Sequence, residues 1–307
     1  MLDSLYEEAL KKKGQINDKI IDLDSSSLDI SSKWIKENFA SSIDDFSIAA
    51  GDGSLSKKKY IGFYFYAVAS ESLIYNGELN SINKVEIDTT PYQKFIDDKL
   101  RNKMSLFEFE TAIRTIKEYN PDYYMLDGSL LGDLIRPFPF DKDNRLSKDE
   151  NIQKLIAIRK LLDYNKKIIS ISKTSSKNTI FEAKMPDIAI FDKYTSGEGF
   201  AKPFYKELNR EMKHEFPIEN EFFRSLKFTI FYLRLEDQKN IIKVELPYKC
   251  DIGHVRKIIS VLKRDAVEGY PYLLKKAHND VVIKNKNIDE LAKIVGLYEK
   301  SGREMLR

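Results

Sequence analysis

The order of strand-like and helix-like segments constrains this chain more than any other sequence feature. Residues 46–52 form an apolar run, and strand-like segments rich in aromatic and β-branched residues follow at 58–70, 72–77 and 83–88. Short turns separate these segments, and such spacing predicts antiparallel hairpins. The first half of the core is therefore predicted to be an antiparallel meander.

After residue 90 the pattern changes to an alternation of helices and strands. Apolar residues at helical spacing predict an amphipathic helix over 105–119. Short apolar strands at 122–128 and 166–172 enclose a helix over 149–164, which predicts a βαβ unit with a parallel strand pair. Antiparallel strands followed by this unit give the order of an RNase H-like fold. We therefore predict an α/β fold with a mixed sheet flanked by helices.

The remaining segments extend this core at both ends of the chain. The predicted elements are helices over 2–22 and around Trp34, strands over 187–192, 226–235 and 240–246, and closing helices over 252–265, 271–280 and 287–298. We expect residues 1–44 to form an N-terminal helical segment. Residues 45–307 are then expected to form one domain around the RNase H-like core.

Composition predicts a soluble globular protein. The 307 residues are 42% hydrophobic and 32% charged, and a chain of this length can bury a large core. The longest apolar run, residues 60–69, is about half as long as a membrane span requires, and the N-terminus lacks an apolar signal core. We therefore expect a cytoplasmic protein without a membrane segment. The single cysteine, Cys250, excludes an intrachain disulfide and a Cys-rich zinc site.

The charge distribution is more informative than the net charge of +3. Residues 255–307 contain twelve Lys or Arg against seven Asp or Glu. This basic segment could contact phosphate backbones, but the solvated face of Lys-rich helices explains it equally well.

The tetrapeptide Asp-Gly-Ser-Leu occurs twice, at 52–55 and 127–130, each time at the end of an apolar run. A single copy is typical of a turn. If the two strands are neighbours, however, Asp52 and Asp127 lie side by side at one edge of the sheet. Adjacent carboxylates repel each other unless a cation lies between them, and oxygen ligands favour Mg²⁺ or Mn²⁺. The repeat therefore predicts a metal site.

A third ligand is expected from the helix between the two aspartates. Glu108 and Glu110 both qualify, because they lie on opposite sides of Phe109 and equally far from it. Helical periodicity alone does not choose between them. Asp133, Asp187 and Asp192 also lie near strand ends but rank lower as ligands. Asp133 falls in a loop, and the residues after Asp192 are equally consistent with a turn. A P-loop ATPase is unsupported, because the GxxxxGK[ST] pattern is absent.

Four segments together resemble a known family. They are GDGS at 51–54, LDGSL at 126–130, SISKTS at 170–175 and GYPYLLKKAHNDVVI at 269–283. They run in the order of the NurA nuclease family of archaea and some bacteria, and the last segment is the most specific. The resemblance extends from about residue 45 to residue 283.

This resemblance implies an RNase H-like, manganese-dependent DNA nuclease that acts on single- and double-stranded DNA. NurA proteins are single-strand endonucleases and 5′-to-3′ exonucleases. They are homodimers that work with the hexameric ATPase HerA and process DNA ends for recombinational repair. For this chain, the resemblance implies the same cofactor and the same partners.

The resemblance also implies roles for individual residues. Asp52 and Asp127 match the metal-binding aspartates, and the helix glutamate of the family falls on Glu110, with a register uncertain by two residues. We expect these carboxylates to hold Mn²⁺, or Mg²⁺ in its place, in a two-metal site. His278 matches the histidine of the last segment and is expected to be a metal neighbour or a proton donor.

Two further matches have a helper role. Lys173 corresponds to the lysine after the second parallel strand and is expected to stabilise charge on the phosphate. Tyr270 corresponds to the tyrosine of the last segment and is expected to stack on a base or orient a phosphate. A surface cation and a core aromatic are the alternative interpretations of these two residues.

The main competing hypothesis is a non-catalytic DNA-binding or scaffold subunit with the same fold. Such a subunit does not need clustered carboxylates, so the repeated motif argues against it. An RNA-cleaving enzyme of the Argonaute type is also disfavoured, because too little sequence lies outside the core for guide-binding domains. The apolar face of the N-terminal helix is expected to be available for contacts with a second copy or with HerA.

Overall fold

The computed structural model describes residues 2–21, 28–40, 45–136, 148–212 and 215–298. The strands are β1 (Trp34–Lys36), β2 (Ile48–Lys59), β3 (Phe63–Tyr75), β4 (Leu79–Pro91), β5 (Tyr123–Asp127), β6 (Ile168–Ser172), β7 (Gly199–Ala201), β8 (Phe204–Glu207), β9 (Lys227–Arg234), β10 (Ile242–Leu246), β11 (Ala266–Val267) and β12 (Tyr270–Pro271). The helices are α1 (Leu2–Ile21), α2 (Ile96–Tyr119), α3 (Leu130–Ile135), α4 (Lys148–Leu162), α5 (Asp187–Tyr194), α6 (Leu208–Glu211), α7 (Asn220–Ser225), α8 (Ile252–Arg264), α9 (Tyr272–Val281) and α10 (Asn285–Ile294).

One large mixed sheet organises the chain. Its strands follow the order β1-β7-β9-β10-β6-β5-β2-β3-β4, and β8 pairs with β9 outside this path. Strands β2, β3 and β4 are antiparallel, β5 runs parallel to β2, and β6 runs parallel to β5. The predicted α/β fold and the order of its antiparallel and parallel strands are therefore confirmed.

Helices cover both faces of this sheet. Because side chains alternate along a strand, neighbouring residues of β5 pack against the helices on opposite faces of the sheet. Tyr124 and Leu126 pack with helices α2 and α4, whereas Met125 packs with α8 and α9. Asp127 follows in the same alternation and emerges on the α8–α9 side of the sheet.

The first Asp-Gly-Ser-Leu copy differs from its predicted structure. It is not a turn at a strand end, because β2 continues through Asp52 as far as Lys59 and pairs with β3 throughout. The glycines on either side of Asp52 allow close packing there. A methyl group at Gly51 would overlap the Tyr124 hydroxyl, and one at Gly53 would overlap the Glu108 carboxylate.

The second copy does form the predicted turn. Strand β5 ends at Asp127, and Gly128 adopts a φ of +100°, a region that glycine enters without a steric penalty. The Ser129 hydroxyl then accepts a hydrogen bond of 2.9 Å from the Gly132 amide and caps α3. The same tetrapeptide therefore continues a strand in one place and begins a helix in another.

Three other predictions are wrong. Residues 58–70 and 72–77 are not separate strands, because β3 is continuous between them. Residues 187–192 lie in helix α5, whose Asp187 carboxylate accepts hydrogen bonds from the Ile180 and Phe181 amides. Trp34 lies in strand β1 rather than in a helix, and β1 pairs with β7. Short apolar runs do not distinguish a strand from a buried helix.

The predicted N-terminal helix is present as α1, up to residue 21. Its apolar side chains Leu2, Leu5, Tyr6 and Leu10 are exposed. The domain boundary after residue 44 stays a prediction, and residues 1, 22–27 and 41–44 of that segment lie outside the described residues. Across the helices of the described ranges, none combines the length and the apolar character that a bilayer span requires.

Candidate metal centre

Three side chains from distant parts of the chain meet at one end of the central strands. Asp52 lies in β2, Asp127 ends β5 and His278 lies in α9. One ligand atom from each residue lies within 4.8 Å of the other two. The parallel register explains the first pair, because Gly51 is opposite Leu126 and the two aspartates come next along their strands.

The environment of Asp52 opposes its negative charge. The residue is 7% exposed. Its burial, followed by the negative charge of Asp127, raises the pKa of its carboxyl group, although hydrogen bonds from His278 and the Gly53 amide partly offset this effect. A cation between the two aspartates would remove this repulsion.

His278 is oriented by its contact with Asp52. Its Nδ1 atom lies 2.6 Å from Oδ2 of Asp52. An ionised carboxylate can only accept a hydrogen bond, so Nδ1 is the protonated nitrogen when Asp52 is charged. In the neutral imidazole, Nε2 then has a free lone pair, and the His278 side chain is 45% exposed. Such a nitrogen can bind a metal or exchange a proton.

Of the two glutamates left open on α2, Glu108 is the one that lies beside Asp52. Glu110, which the resemblance favoured, pairs with another strand. The Glu110 carboxylate lies 2.5 Å from Nζ of Lys84 in β4 and is 40% exposed. Glu108 packs directly against Gly53, next to Asp52. Its burial and the charges of Asp52 and Asp133 raise its pKa well above the usual value. The two glutamate side chains project from opposite sides of α2. Glu110 projects towards β4, whereas Glu108 projects towards β2, the strand that contains Asp52.

Lys173 and Tyr270 border the Asp127 carboxylate. Lys173 follows β6, and its Nζ atom lies 3.2 Å from Oδ2 of Asp127 and 4.9 Å from the centre of the Tyr270 ring. Burial of Tyr270 and the negative charges of Asp127 and Asp52 raise the pKa of the tyrosine hydroxyl. Five of the six residues predicted for the site are therefore grouped together, and Glu110 is the exception.

A buried ion pair lies behind Glu108. Nζ of Lys154 in α4 is 3.0 Å from Oδ1 of Asp133 in α3, and Lys154 is only 6% exposed. The positive charge of Lys154 partly offsets the raised pKa of Glu108. Sequence reasoning missed Lys154, although its position on the same helical face as Leu155 and Ile158 was a usable signal. A buried lysine needs a partner, and the partner here is Asp133.

Asp187 and Asp192 do not belong to this centre. Asp187 accepts backbone hydrogen bonds at the start of α5, and Asp192 lies 3.4 Å from Arg234. The carboxylates that do converge provide hard oxygen donors. Together with one imidazole, such a donor set fits Mn²⁺ or Mg²⁺.

Comparison with known proteins identifies the family. Residues 46–283, most of the chain, match the NurA domain. The chain belongs to the NurA family. The matched region contains the whole metal centre, from Asp52 in β2 to His278 in α9, and it agrees with the resemblance seen in the sequence.

Named NurA relatives align over most of the chain. A protein of Methanocaldococcus jannaschii described as a probable DNA double-strand break repair nuclease NurA is 30% identical, and the alignment covers 98% of this chain and 89% of the relative. The DNA double-strand break repair nuclease NurA of Saccharolobus solfataricus is 27% identical, with 81% and 80% covered. The similarity therefore extends over at least four-fifths of this chain and of each relative.

Solved NurA structures share the fold. The NurA nuclease from Sulfolobus solfataricus superposes with a TM-score of 0.79 at 23% identity and covers 96% of this chain and 97% of its own. A NurA bound to dAMP and manganese superposes with a TM-score of 0.62 at 14% identity and covers 100% of both chains.

Proposed function

We propose that this chain is a manganese-dependent DNA nuclease that hydrolyses phosphodiester bonds at the metal centre. The observation that carries this proposal is the convergence of Asp52, Asp127 and His278 within 4.8 Å. Glu108 adds a third carboxylate next to Asp52. NurA relatives named as DNA repair nucleases, and a NurA fold solved with dAMP and manganese, support the same chemistry.

Asp52, Asp127 and Glu108 are the residues that would hold the metal. A bound divalent ion lowers the pKa of a coordinated water and stabilises charge on a phosphate. Three carboxylates and one imidazole are enough donors for two ions that share a ligand, so a two-metal site is part of the proposal. Burial, followed by repulsion from neighbouring carboxylates, raises the pKa values of Asp52 and Glu108, and a bound cation would relieve that repulsion.

The remaining residues act on the substrate. The ammonium group of Lys173 stands beside Asp127 on the exposed side of the centre, where it can pair with a non-bridging phosphate oxygen. In the neutral imidazole, Nε2 of His278 is available to bind the metal. In the doubly protonated imidazolium, Nε2 can instead give its proton to the leaving oxygen. The Tyr270 ring holds the Lys173 side chain through a cation–π contact.

The proposal extends to the biological context. We infer that the protein combines single-strand endonuclease and 5′-to-3′ exonuclease activity, forms a homodimer and acts with a HerA-type hexameric ATPase in DNA end resection. The exposed apolar residues Leu5, Tyr6 and Leu10 of α1 support a protein contact at the N-terminus. The basic segment 255–307 supports a role in DNA binding, although residues 299–307 lie outside the described residues.

An assay on DNA labelled at either the 5′ or the 3′ end tests this function. With Mn²⁺, the protein should shorten both single- and double-stranded substrates, and chelation should stop the reaction. An Asp127→Asn preparation, purified in parallel, identifies activity from contaminating nucleases. DNA binding without any cleavage in Mn²⁺ or Mg²⁺ would instead support the scaffold hypothesis.

A further inference from the structure

A cavity lies on the face of the sheet that α2 and α4 cover, at the same ends of β5 and β6 as the metal centre. Its volume is about 750 Å³, and it is bordered by α3, the segment after β6, and strands β8, β9 and β10. Ser129 and Ser172 line it, two residues after Asp127 and one residue before Lys173. A DNA strand that crosses the sheet edge at the metal centre would therefore place a neighbouring nucleotide at the cavity.

One side chain in this cavity has an unmet hydrogen-bonding requirement. Ser172 is only 6% exposed, and within the described part of the chain its hydroxyl has no hydrogen-bond partner. Buried hydroxyl groups are nearly always paired in folded proteins. A hydroxyl that is buried, unpaired and part of a cavity wall indicates a ligand that supplies the missing partner.

The cavity floor is held in place by buried charges. Lys243, opposite Ser172 in the register of β10 and β6, is 6% exposed and its Nζ lies 2.5 Å from Oε1 of Glu245. The fully buried Glu245 also accepts hydrogen bonds from the Ser129 hydroxyl at 2.6 Å and the Leu131 amide at 3.0 Å. This network orients the ammonium group and the start of α3 before any ligand arrives.

The other walls combine hydroxyl groups, cations, apolar surface and one carboxylate, that of Glu211, which pairs with Lys206 at 2.8 Å. Thr174, Ser175 and Lys177 come from the segment after β6, whereas Ile135 and Phe204 provide apolar surface. Hydroxyl and ammonium groups recognise phosphate oxygens, and an aromatic ring can stack on a base. The cavity volume falls within the roughly 300–1,000 Å³ typical of small-molecule sites.

We propose that this cavity is a subsite that binds one nucleotide of the DNA strand next to the cleaved phosphodiester, with its phosphate on Ser172 and Lys177. The inference rests on the proposed nuclease function, because it needs DNA as the ligand. It assigns a function to the hydroxyl groups of the SISKTS segment, in which only Lys173 borders the metal centre.

A methylphosphonate scan tests the subsite by binding alone. Single phosphates of a short single strand are replaced by neutral methylphosphonates, and affinity is measured in Ca²⁺ so that cleavage does not interfere. The wild-type protein should lose affinity when the methylphosphonate replaces one particular phosphate beside the cleavage position. In Lys177→Gln that loss of affinity should disappear, and the slope of log affinity against log salt should become shallower by about 0.7.

Ser172→Ala should weaken binding of the unmodified strand about tenfold, as expected for one lost hydrogen bond to a charged group. Mn²⁺ binding, followed by electron paramagnetic resonance, should not change in either variant. Lys160→Gln, at an exposed position of α4, is the matched control and should behave like the wild type.

The outcomes separate this inference from the proposed function. If the wild type cleaves DNA, but both variants lose affinity at the same phosphate position as the wild type, the subsite assignment is wrong and the nuclease proposal stands. If inorganic phosphate binds through Ser172 and Lys177 while the scan shows no affected position, the cavity is a free-anion site and the inference is overturned. Absence of Mn²⁺-dependent cleavage by the wild type would refute the proposed function itself.

Discussion

Nδ1 of His278 lies 2.6 Å from Oδ2 of Asp52, although the two residues are 226 positions apart in the sequence. This contact joins the C-terminal helix α9 to the central strand β2. It also orients the imidazole so that Nε2 of His278 faces away from Asp52. The pair of carboxylates is therefore accompanied by an imidazole in a fixed orientation. The chemistry of the centre therefore depends on the docking of the last quarter of the chain.

Removal of His278 tests the role of this contact. We expect His278→Ala to reduce the single-turnover rate by roughly 10²–10⁴-fold, as for loss of a general acid, while DNA affinity changes little. A better leaving group, such as a bridging phosphorothiolate, should shrink the loss if Nε2 donates a proton. Added Mn²⁺ should restore part of the rate if Nε2 binds the metal.

His254→Ala is the control for this experiment, since His254 lies in α8 and contacts the Tyr248 hydroxyl at 2.9 Å. It should keep the wild-type rate within a few-fold. Equal, small losses in both histidine variants would leave His278 with a packing role only.

The two helix glutamates form a matched pair. Glu108→Gln should lower the cleavage rate by at least about 10²-fold, because it removes a charge next to Asp52. Glu110→Gln should leave the rate nearly unchanged, because it breaks only a partly exposed ion pair with Lys84, which is worth about 0–1 kcal/mol. The single-turnover rates of the two variants, measured side by side, decide the matter, and the reverse order would reinstate Glu110.

Removal of the Asp52 charge should stabilise the metal-free protein. The raised pKa of Asp52 means that its ionisation opposes folding. Single stabilising substitutions, charge optimisation among them, commonly contribute about 0.5–2 kcal/mol. Asp52→Asn should therefore raise the melting temperature in a chelator and lose the increase that Mn²⁺ produces in the wild type. A lower melting temperature in the chelator would contradict this electrostatic account.

The raised pKa values also set a pH dependence. In the metal-free protein, Asp52 and Glu108 keep their protons at pH values where the unfolded chain has already released them. Their contribution to the free energy of unfolding therefore falls as pH rises from the ordinary carboxyl range through the raised pKa values. Mn²⁺ must displace these protons. Its affinity, measured by calorimetry, should therefore increase with pH across this window and become less dependent on pH in Glu108→Gln. A pH-independent affinity in the wild type would contradict the assignment.

The sequence predicted the strand order and the aspartate pair because both depend on strong local patterns. The repeated Asp-Gly-Ser-Leu predicted that Asp52 and Asp127 lie side by side if their strands are neighbours, and β2 and β5 do pair. Only the second copy forms the expected turn. The choice between Glu108 and Glu110 depended on the rotation of α2 about its axis, which β2 and β4 determine through Gly53 and Lys84. The helical periodicity around Phe109 does not show which strand faces each side of α2.

Short apolar segments were the other source of error. Residues 187–192 form an apolar run of strand-like length, but they lie in helix α5. The helix begins at Asp187, whose carboxylate accepts hydrogen bonds from the Ile180 and Phe181 amides. The sequence could indicate that Lys154 is buried, but it could not identify Asp133 as its partner, because the pair joins α3 to α4 through a tertiary contact.

The most direct test of the metal centre compares the two ends of β5 in one experiment. Asp127 ends the strand at the proposed centre, whereas Asp122 precedes it at the opposite end and accepts a hydrogen bond of 2.9 Å from the Ser47 amide. Mn²⁺ binding and single-turnover DNA cleavage should be measured together for Asp127→Asn and Asp122→Asn. We predict that Asp127→Asn folds normally but loses both Mn²⁺ binding and cleavage, and that Asp122→Asn keeps both. Wild-type rates of Mn²⁺-dependent cleavage by folded, pure Asp127→Asn would contradict the account.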